Sequence, residues 1–176
     1  MIIVNEKDFR IAYRILEDSF IPAELKPEDN LHTQWHNGEV ILEYITSDDK
    51  IAGVITLWEF SDFVFVENFA VKKEVRNKGI GAKLLKIITD KYIDKKIILE
   101  VEPPQNEIQK RRIGFYERNG FLLSSFGYIQ PPLRENCEDV PLLLMHTGKS
   151  LSEFEFTHIK NDILRTVYKC NNITDF

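Results

Sequence analysis

A strand that leads through a glycine-bearing turn directly into a helix is the feature that most constrains this chain. Residues 67–82 read ENFAVKKEVRNKGIGA, an apolar strand end followed by a basic turn and a helix start. The first turn of a helix leaves backbone N–H groups unpaired and carries partial positive charge, so this arrangement suits a phosphate or diphosphate. Gly79 and Gly81 carry no Cβ where such a ligand would approach the main chain.

Composition limits the classes of partner. The chain of 176 residues is 43% hydrophobic with a formal net charge of −5, which is typical of one globular domain and argues against a general nucleic-acid binder. Cys137 and Cys170 form no Cys-x-x-Cys motif, so we expect reduced thiols in a cytoplasmic protein. No stretch is apolar for long enough to span a membrane, so no membrane partner is expected. His32 and His36 lie four residues apart without an evident third ligand, and no metal is predicted.

The hydrophobic pattern predicts a single α/β domain. A first helix follows Asn5, and a short second helix is an option within residues 22–38. Short turns join the next three strands, which must therefore pair antiparallel. A helix from Ile80 and a dense apolar strand come next, then another helix and a final hairpin. The predicted strands are 40–45, 51–60, 63–71, 97–101, 121–129 and 140–146. A helix at 107–118 is predicted between the fourth and fifth of these strands.

A last helix begins at Ser152 and is predicted to continue to about Cys170. We expect its apolar stripe, Ile159, Ile163 and Val167, to pack against its own domain, and a homodimer interface is the alternative. The predicted organisation is one domain over residues 1–150 with a helical extension over residues 151–176.

Two motifs in this order resemble the GCN5-related N-acetyltransferase (GNAT) family. One is Arg76-x-x-Gly79-x-Gly81 after a strand, and the other is Tyr116 followed four residues later by Gly120-Phe121. The predicted element order agrees with the family across residues 1–147. The resemblance implies the acyl-CoA N-acyltransferase fold, a mixed and mostly antiparallel sheet flanked by helices, here with an extra C-terminal helix. It also implies acetyl-CoA as acyl-donor cosubstrate and an amine as acceptor.

The chain departs from the family pattern at a few positions, and competing glycine motifs do not fit. Lys73 stands where the family often has proline, and Arg112 stands where a small residue is usual. A Walker loop needs Gly-Lys-Ser/Thr, whereas Gly81 is followed by Ala-Lys-Leu. A dinucleotide fingerprint needs a third glycine at position 84, which is Leu84.

The coenzyme site implied by the resemblance has two parts. The main chain of the basic turn would hold the CoA diphosphate, with added charge from Arg76 and Lys78. The pantetheine arm would lie in a gap between strands 63–71 and 97–102, pairing with the main chain of the first strand, which would also polarise the acetyl carbonyl. The predicted cofactor-binding residues are Phe69, Ala70, Val71, Arg76, Asn77, Lys78, Gly79, Ile80, Gly81 and Ala82.

Catalysis requires a proton acceptor, because an amine is protonated at neutral pH and attacks a thioester only when neutral. Glu67 is the first candidate: strand alternation places it with Phe63, Phe65, Phe69 and Val71, where desolvation would strengthen a base. Glu100 and Glu102, on the neighbouring strand, are the reserve candidates. The resemblance implies that Tyr116 is the general acid that protonates the departing thiolate.

These residues predict an N-acetyltransferase that works by direct attack in a ternary complex. The alternatives are a catalytically silent CoA-binding protein of the same fold, a partner-binding protein without acyl-CoA affinity, and an enzyme that uses a longer acyl donor or a hydroxyl acceptor. Specificity is expected from residues 22–38, from Ser61-Asp62 and from residues 130–139. The acids Glu43, Glu59, Asp62 and Glu67 favour a cationic small molecule, such as a polyamine or amino sugar, over a peptide N-terminus or lysine.

Overall fold

Seven strands form one sheet in the order β1-β2-β3-β4-β5-β7-β6 in the computed structural model, which describes residues 2–170. Every neighbouring pair is antiparallel except β4 and β5, which run parallel. The strands are β1 (Ile2–Ile3), β2 (Ile41–Ser47), β3 (Lys50–Glu59), β4 (Phe63–Val71), β5 (Lys96–Val101), β6 (Leu122–Gln130) and β7 (Val140–His146). The helices are α1 (Glu6–Glu17), α2 (Glu28–His36), α3 (Ile80–Lys91), α4 (Glu107–Arg118) and α5 (Glu153–Asp162).

The predicted fold class, a mixed and mostly antiparallel sheet flanked by helices, is confirmed. Helix starts follow local capping: the Asn5 side chain accepts hydrogen bonds from two backbone N–H groups of α1, and capping boxes begin α4 and α5. Within residues 2–170, no helix is both long and apolar enough to cross a membrane.

The C-terminal extension differs from the single helix that the sequence predicts. Helix α5 ends at Asp162 and continues as a π turn over Ile163–Val167, so the predicted helix is present, but its last part is π-helical and ends before Cys170. The stripe of this extension is buried in the core, which confirms that it packs against its own domain. Residue 1 and residues 171–176 of the predicted domain and extension lie outside the described residues.

Two hydrophobic clusters cover opposite faces of the sheet. One face, which we call the α1/α5 face, packs against residues such as Phe9 and Leu16 of α1 and Phe156 of α5. The other, the α3/α4 face, packs against residues such as Leu84 of α3 and Ile113 of α4. A side chain on a strand therefore reaches one of two separate environments, and the alternation along the strand decides which.

A β-bulge interrupts that alternation in β4. Thr56 of β3 pairs with Asn68, whereas the next residue, Leu57, pairs with Val66, so β4 contains one extra residue at Glu67. Phe65 consequently lies on the α1/α5 face, while Phe69 packs on the α3/α4 face. The predicted single face shared by Phe63, Phe65, Glu67, Phe69 and Val71 is wrong beyond the bulge.

The sheet opens between its two parallel strands. Pairing of β4 with β5 runs from Phe63 with Lys96 to Val66 with Leu99. Among the described residues, the remainder of β4, residues 67–71, has no partner on β5, although β5 itself continues to Val101. Backbone groups on this side of β4 are thus free to pair with something other than the neighbouring strand.

Candidate active site

The glycine turn takes the shape that its sequence predicts. Asn77 and Gly79 both have positive φ, 62° and 78°, and Gly79 is the N-cap of α3 in the left-handed conformation that glycine adopts without strain. The Arg76 side chain donates from Nε to the carbonyl of Val71 at 2.9 Å, which ties the turn to the end of β4. The N–H groups of the first turn of α3 lack intrahelical partners, as in every helix, and lie beside this strand end.

Gly81 permits close packing between three elements. A Cβ at this position would lie 3.2 Å from Phe115 Cζ, 3.4 Å from Phe69 Cζ and 3.6 Å from Val71 Cγ2. The glycine therefore lets α3 approach both α4 and the unpaired end of β4. This contact brings two of the predicted cofactor-binding segments, residues 69–71 and the start of α3, to one place.

Tyr116 lies beside the same contact. Its ring is 6.2 Å from that of Phe69 and 5.3 Å from that of Phe115, and the residue is buried. Burial raises the pKa of Tyr116 to about 12, although Arg112 opposes the shift. Within residues 2–170 no hydrogen bond engages its hydroxyl, which is therefore a protonated donor without an acceptor.

Glu67 is bound by partners that the sequence analysis did not assign to it. Its Oε1 lies 2.9 Å from Lys26 Nζ, its Oε2 accepts a 2.6 Å hydrogen bond from Trp58 Nε1, and both charged side chains are almost completely buried. The Lys26 ammonium also lies 4.6 Å from the centroid of the Trp58 ring. The predicted apolar surroundings of this carboxylate are wrong, because a buried cation compensates it.

Glu100, a reserve candidate, has different partners. Tyr168 donates a 2.6 Å hydrogen bond to its Oε2, and Tyr128 donates to its Oε1. Burial raises the pKa of Glu100 to about 8; the bond from Tyr168 opposes this rise, and the nearby carboxylates of Glu67 and Glu24 add to it. A carboxyl that titrates near neutrality is suited to accept a proton from an ammonium.

Glu102, the third candidate, forms a partly exposed ion pair with Arg112. Arg112 Nη1 lies 2.6 Å from its Oε2, and Gln109 Nε2 donates to its Oε1 at 3.1 Å. Arg112 is a position where the chain departs from the family pattern, and in the structure both Arg112 and Gln109 bind this carboxylate.

A cavity of about 40 Å³ lies beside the ends of β4 and β5. Among the described residues that line it, four are glutamates (Glu24, Glu67, Glu100 and Glu102) and one, Arg112, is cationic. Burial and the charge of Glu102 raise the pKa of Glu24. The cavity is therefore acidic, and it lies where the sheet opens.

Three of the four acids expected near the acceptor lie elsewhere. Glu43 is buried against Lys91, with Nζ and Oε1 2.7 Å apart, and Glu59 accepts a hydrogen bond from Tyr92. Asp62 lies 3.5 Å from His158. These three side chains do not line the cavity, because strand alternation and turn geometry direct them to other partners.

The segment between α1 and α2 supplies two of the site residues missing from the sequence prediction, Glu24 and Lys26. Arg134 fixes this segment by donating from Nε to the Leu25 carbonyl at 2.8 Å. Gln130 Nε2 donates to the Ala23 carbonyl at 3.0 Å. Residues 22–38 and 130–139 were both predicted to set specificity, and these contacts join them at one wall of the cavity.

Tyr128 and Tyr168 are the other unpredicted members of the site. The alternation of side chains along β6 could have indicated that Tyr128 points into the protein. No local sequence feature distinguishes Tyr168 from the apolar residues of the stripe before it. Among residues 2–170, no group of three or more His, Cys, Asp or Glu side chains is arranged to hold a metal ion.

Comparison with known proteins supports the family resemblance. The family model described as "Acetyltransferase (GNAT) family" matches residues 9–121. "Putative acetyltransferase YjbC" of Bacillus subtilis (strain 168) is 33% identical over 105 residues, which cover 58% of this chain and 54% of that protein. The match thus spans about half the length of this curated relative.

Solved structures share the fold. A "Putative acetyltransferase from GNAT family" from Bacteroides thetaiotaomicron is 33% identical, covers 94% of each chain and superposes with a TM-score of 0.86. An aminoglycoside 6′-N-acetyltransferase complexed with coenzyme A is 16% identical, covers 84% of this chain and 96% of that one, and has a TM-score of 0.62. The matched residues include both motifs that carry the resemblance, and the chain belongs to the acetyltransferase (GNAT) family.

Proposed function

We propose that this protein transfers an acetyl group from acetyl-CoA to a primary amine of a cationic small molecule, by direct attack in a ternary complex. The observation that carries the proposal is the opening of the sheet beyond Val66 and Leu99. The glycine turn and Tyr116 lie beside this opening on the α3/α4 face, and the acidic cavity at the opening also includes Phe20 and Tyr168 of the α1/α5 face. A thioester in the opening would face an amine in the cavity.

The coenzyme role falls to the residues of the glycine turn and of the unpaired strand end. N–H groups at residues 77–82 would bind the diphosphate, and Lys78 would add charge. The main chain of Phe69, Ala70 and Val71 would pair with the amides of the pantetheine arm in place of a neighbouring strand. The aminoglycoside acetyltransferase of the same fold was solved in complex with coenzyme A, which supports coenzyme A as the class of ligand.

We assign the proton acceptor to Glu100 in preference to Glu67, the first candidate from the sequence. Glu67 pairs with Lys26, and a proton placed on it would leave a buried lysine charge uncompensated. Among the described residues, neutral hydroxyls of Tyr128 and Tyr168 donate hydrogen bonds to Glu100, so it can bind and release a proton without breaking an ion pair. Glu67 then serves as an anionic anchor of the cavity wall.

The proposed reaction balances within these residues. The ammonium of the acceptor gives a proton to Glu100, and the lone pair of the neutral nitrogen attacks the acetyl carbonyl carbon. The C–N bond forms as the C–S bond breaks, and the sulfur takes a proton from the Tyr116 hydroxyl. Glu100 releases this first proton to solvent and then takes the second proton of the nitrogen, which is positively charged after the attack. Tyr116 is protonated again from solvent, so one proton is released in each turnover.

The charge of the cavity favours a cationic acceptor. Glu24, Glu67 and Glu102, joined by Glu100 when it is ionised, outnumber the two nearby cations, Lys26 and Arg112. An incoming ammonium would be attracted to this excess of negative charge, and a neutral hydroxyl would not. The coenzyme A-bound structural relative is named for an amino-sugar acceptor, which agrees with this chemistry.

The test is thiol release from acetyl-CoA with a panel of amines: polyamines, amino sugars and a peptide with a free N-terminus. We expect release with at least one polycationic small amine, and Glu100→Gln should lower that rate by about 100-fold or more. Glu117→Gln, which removes an exposed carboxyl of α4, is the control. Binding of acetyl-CoA without release for any amine would instead support the catalytically silent alternative.

A further inference from the structure

The C-terminal segment, residues 153–168, contributes a wall to the acceptor cavity. Its stripe of Phe156, Ile159, Ile163 and Val167 is buried in the core cluster of the α1/α5 face. The π turn that ends the stripe closes with a hydrogen bond from the Tyr168 N–H to the Ile163 carbonyl, 3.2 Å long. Single π turns within helices occur frequently at functional sites.

Tyr168 is the residue that this turn directs into the cavity. Its hydroxyl lies 2.6 Å from Glu100 Oε2 and 3.4 Å from Gln130 Oε1. The residues that follow are fixed: Lys169 Nζ lies 3.0 Å from Glu39, and the Cys170 N–H donates to the Leu164 carbonyl at 2.9 Å. The ring is therefore anchored on both sides, and its hydroxyl has a defined place beside the carboxyl.

We propose that Tyr168 is a positioning residue for the acetyl transfer, and that the C-terminal segment acts on the reaction through the hydrogen bond from Tyr168 to Glu100. The inference rests on the proposed function, because Glu100 is the proton acceptor assigned there. Tyr168 orients the carboxyl toward the opening between β4 and β5, and it favours the ionised form that accepts the proton of the substrate.

The charged and titratable groups around Glu100 determine the expected effect. Tyr168 and Tyr128 donate to it, the carboxylates of Glu67 and Glu24 repel its ionised form, and Lys26 attracts it. The pKa of Tyr168 is raised well above its ordinary value by burial and by the charge of Glu100, so its hydroxyl remains a donor through the assay range. Without the Tyr168 hydroxyl, the ionised form of Glu100 loses one of the interactions that offset its repulsion by Glu67 and Glu24.

The experiment compares wild type with Tyr168→Phe, which keeps the ring and removes the hydroxyl. Loss of a hydrogen bond to a charged group should raise the pKa of Glu100 by about one unit. The acid limb of the kcat profile should move up by the same amount, so that the rate falls about tenfold at pH 7 and recovers at high pH. The KM for acetyl-CoA should stay unchanged. Tyr92→Phe, which removes a hydroxyl bound to Glu59 outside the cavity, is the matched control.

A second readout separates this inference from the proposed function. The Glu100 carboxyl can be titrated by ¹³C NMR in protein labelled at glutamate Cδ, with its resonance identified by its loss in Glu100→Gln. A higher titration midpoint in Tyr168→Phe, with an unshifted kcat profile in an active enzyme, would overturn the role in the reaction. An unchanged midpoint would overturn the inference altogether. Absence of thiol release from wild type would overturn the proposed function, while the midpoint would still test the hydrogen bond.

Discussion

Glu67 and Glu100 lie on adjacent strands at the edge of one cavity, yet their partners give them opposite character. Lys26 compensates the charge of Glu67, whereas Glu100 contacts two neutral hydroxyls. A carboxylate paired with a buried cation is held in its ionised form, and one without a cation is free to change its charge. The sequence contains both glutamates at strand positions, but it does not indicate which of them has the lysine.

The raised pKa of Glu100 predicts a pH dependence of stability. Its folded-state pKa of about 8 exceeds the ordinary value of 4.5, so the folded protein binds more protons than the unfolded chain between these limits. The contribution of Glu100 is therefore fully present below about pH 4.5 and is lost as pH rises through 8. Chemical denaturation from pH 5 to 9 should show wild type losing stability relative to Glu100→Gln. Parallel curves for the two proteins would contradict the raised pKa.

Tyr116 predicts a kinetic effect that separates chemistry from binding. Its pKa of about 12 keeps the hydroxyl protonated at neutral pH, as a general acid requires. Tyr116→Phe should lower kcat by about 10- to 100-fold and leave the KM for acetyl-CoA almost unchanged, because a thiolate still departs slowly without help.

Tyr92→Phe serves as the control for Tyr116→Phe, since Tyr92 also has a pKa of about 12 and lies outside the site. Equal kcat values for the two variants would remove Tyr116 from the reaction.

At the scale of elements, the strand–turn–helix unit was predictable from sequence because its determinants are local. The apolar strand end, the two glycines and the helical stripe of α3 all lie within about twenty residues of one another. The bulge in β4 was not predictable, because nothing in Val66-Glu67-Asn68 marks an extra residue. It is instead visible in the pairing with β3, where the buried Thr56 hydroxyl binds the Asn68 N–H and side chain.

The glycine turn carries a prediction at this scale. Gly79→Ala places a Cβ in a left-handed conformation, which costs about 1–2 kcal/mol and displaces the N–H groups of α3. Gly38→Ala has the same kind of cost, because Gly38 also has positive φ and an open environment, but it follows α2. Calorimetry should therefore find weakened acetyl-CoA binding for Gly79→Ala and unchanged binding for Gly38→Ala. Equal affinities would place the diphosphate elsewhere.

In the molecule as a whole, the two proposed substrates, acetyl-CoA and the amine, bind on opposite faces of one sheet. Acetyl-CoA is assigned to the α3/α4 face and the acceptor to the α1/α5 face, and the opening between β4 and β5 joins them. Family, fold class and most elements followed from the sequence, because motif and periodicity are local signals. The composition of the cavity wall could not be predicted from the sequence. Lys26 and Tyr168 are distant in sequence from the glutamates and meet them only through tertiary packing.

Binding of the coenzyme should stabilise the whole domain. At 100 times its Kd, acetyl-CoA adds about 2.7 kcal/mol to the free energy of unfolding. For a chain of 176 residues this corresponds to a rise in Tm of roughly 5–10 °C. S-acetyl-N-acetylcysteamine, which has the thioester without the diphosphate, should produce a much smaller shift at equal concentration. An equal response to both compounds would show that the glycine turn does not contribute.

Because β4 contains an extra residue at Glu67, we expect it to tolerate substitutions and single-residue deletions to different degrees. Substitutions along the strand exchange one side chain at a time and leave every neighbour on its own face. Deletion of Glu67 would restore strict alternation and leave Phe69 opposite Ile55 on its own face, whereas deletion of Phe65 would move Val66 to the opposite face of the sheet. A mutational survey would therefore find positions in this strand that accept several amino acids but do not accept a gap.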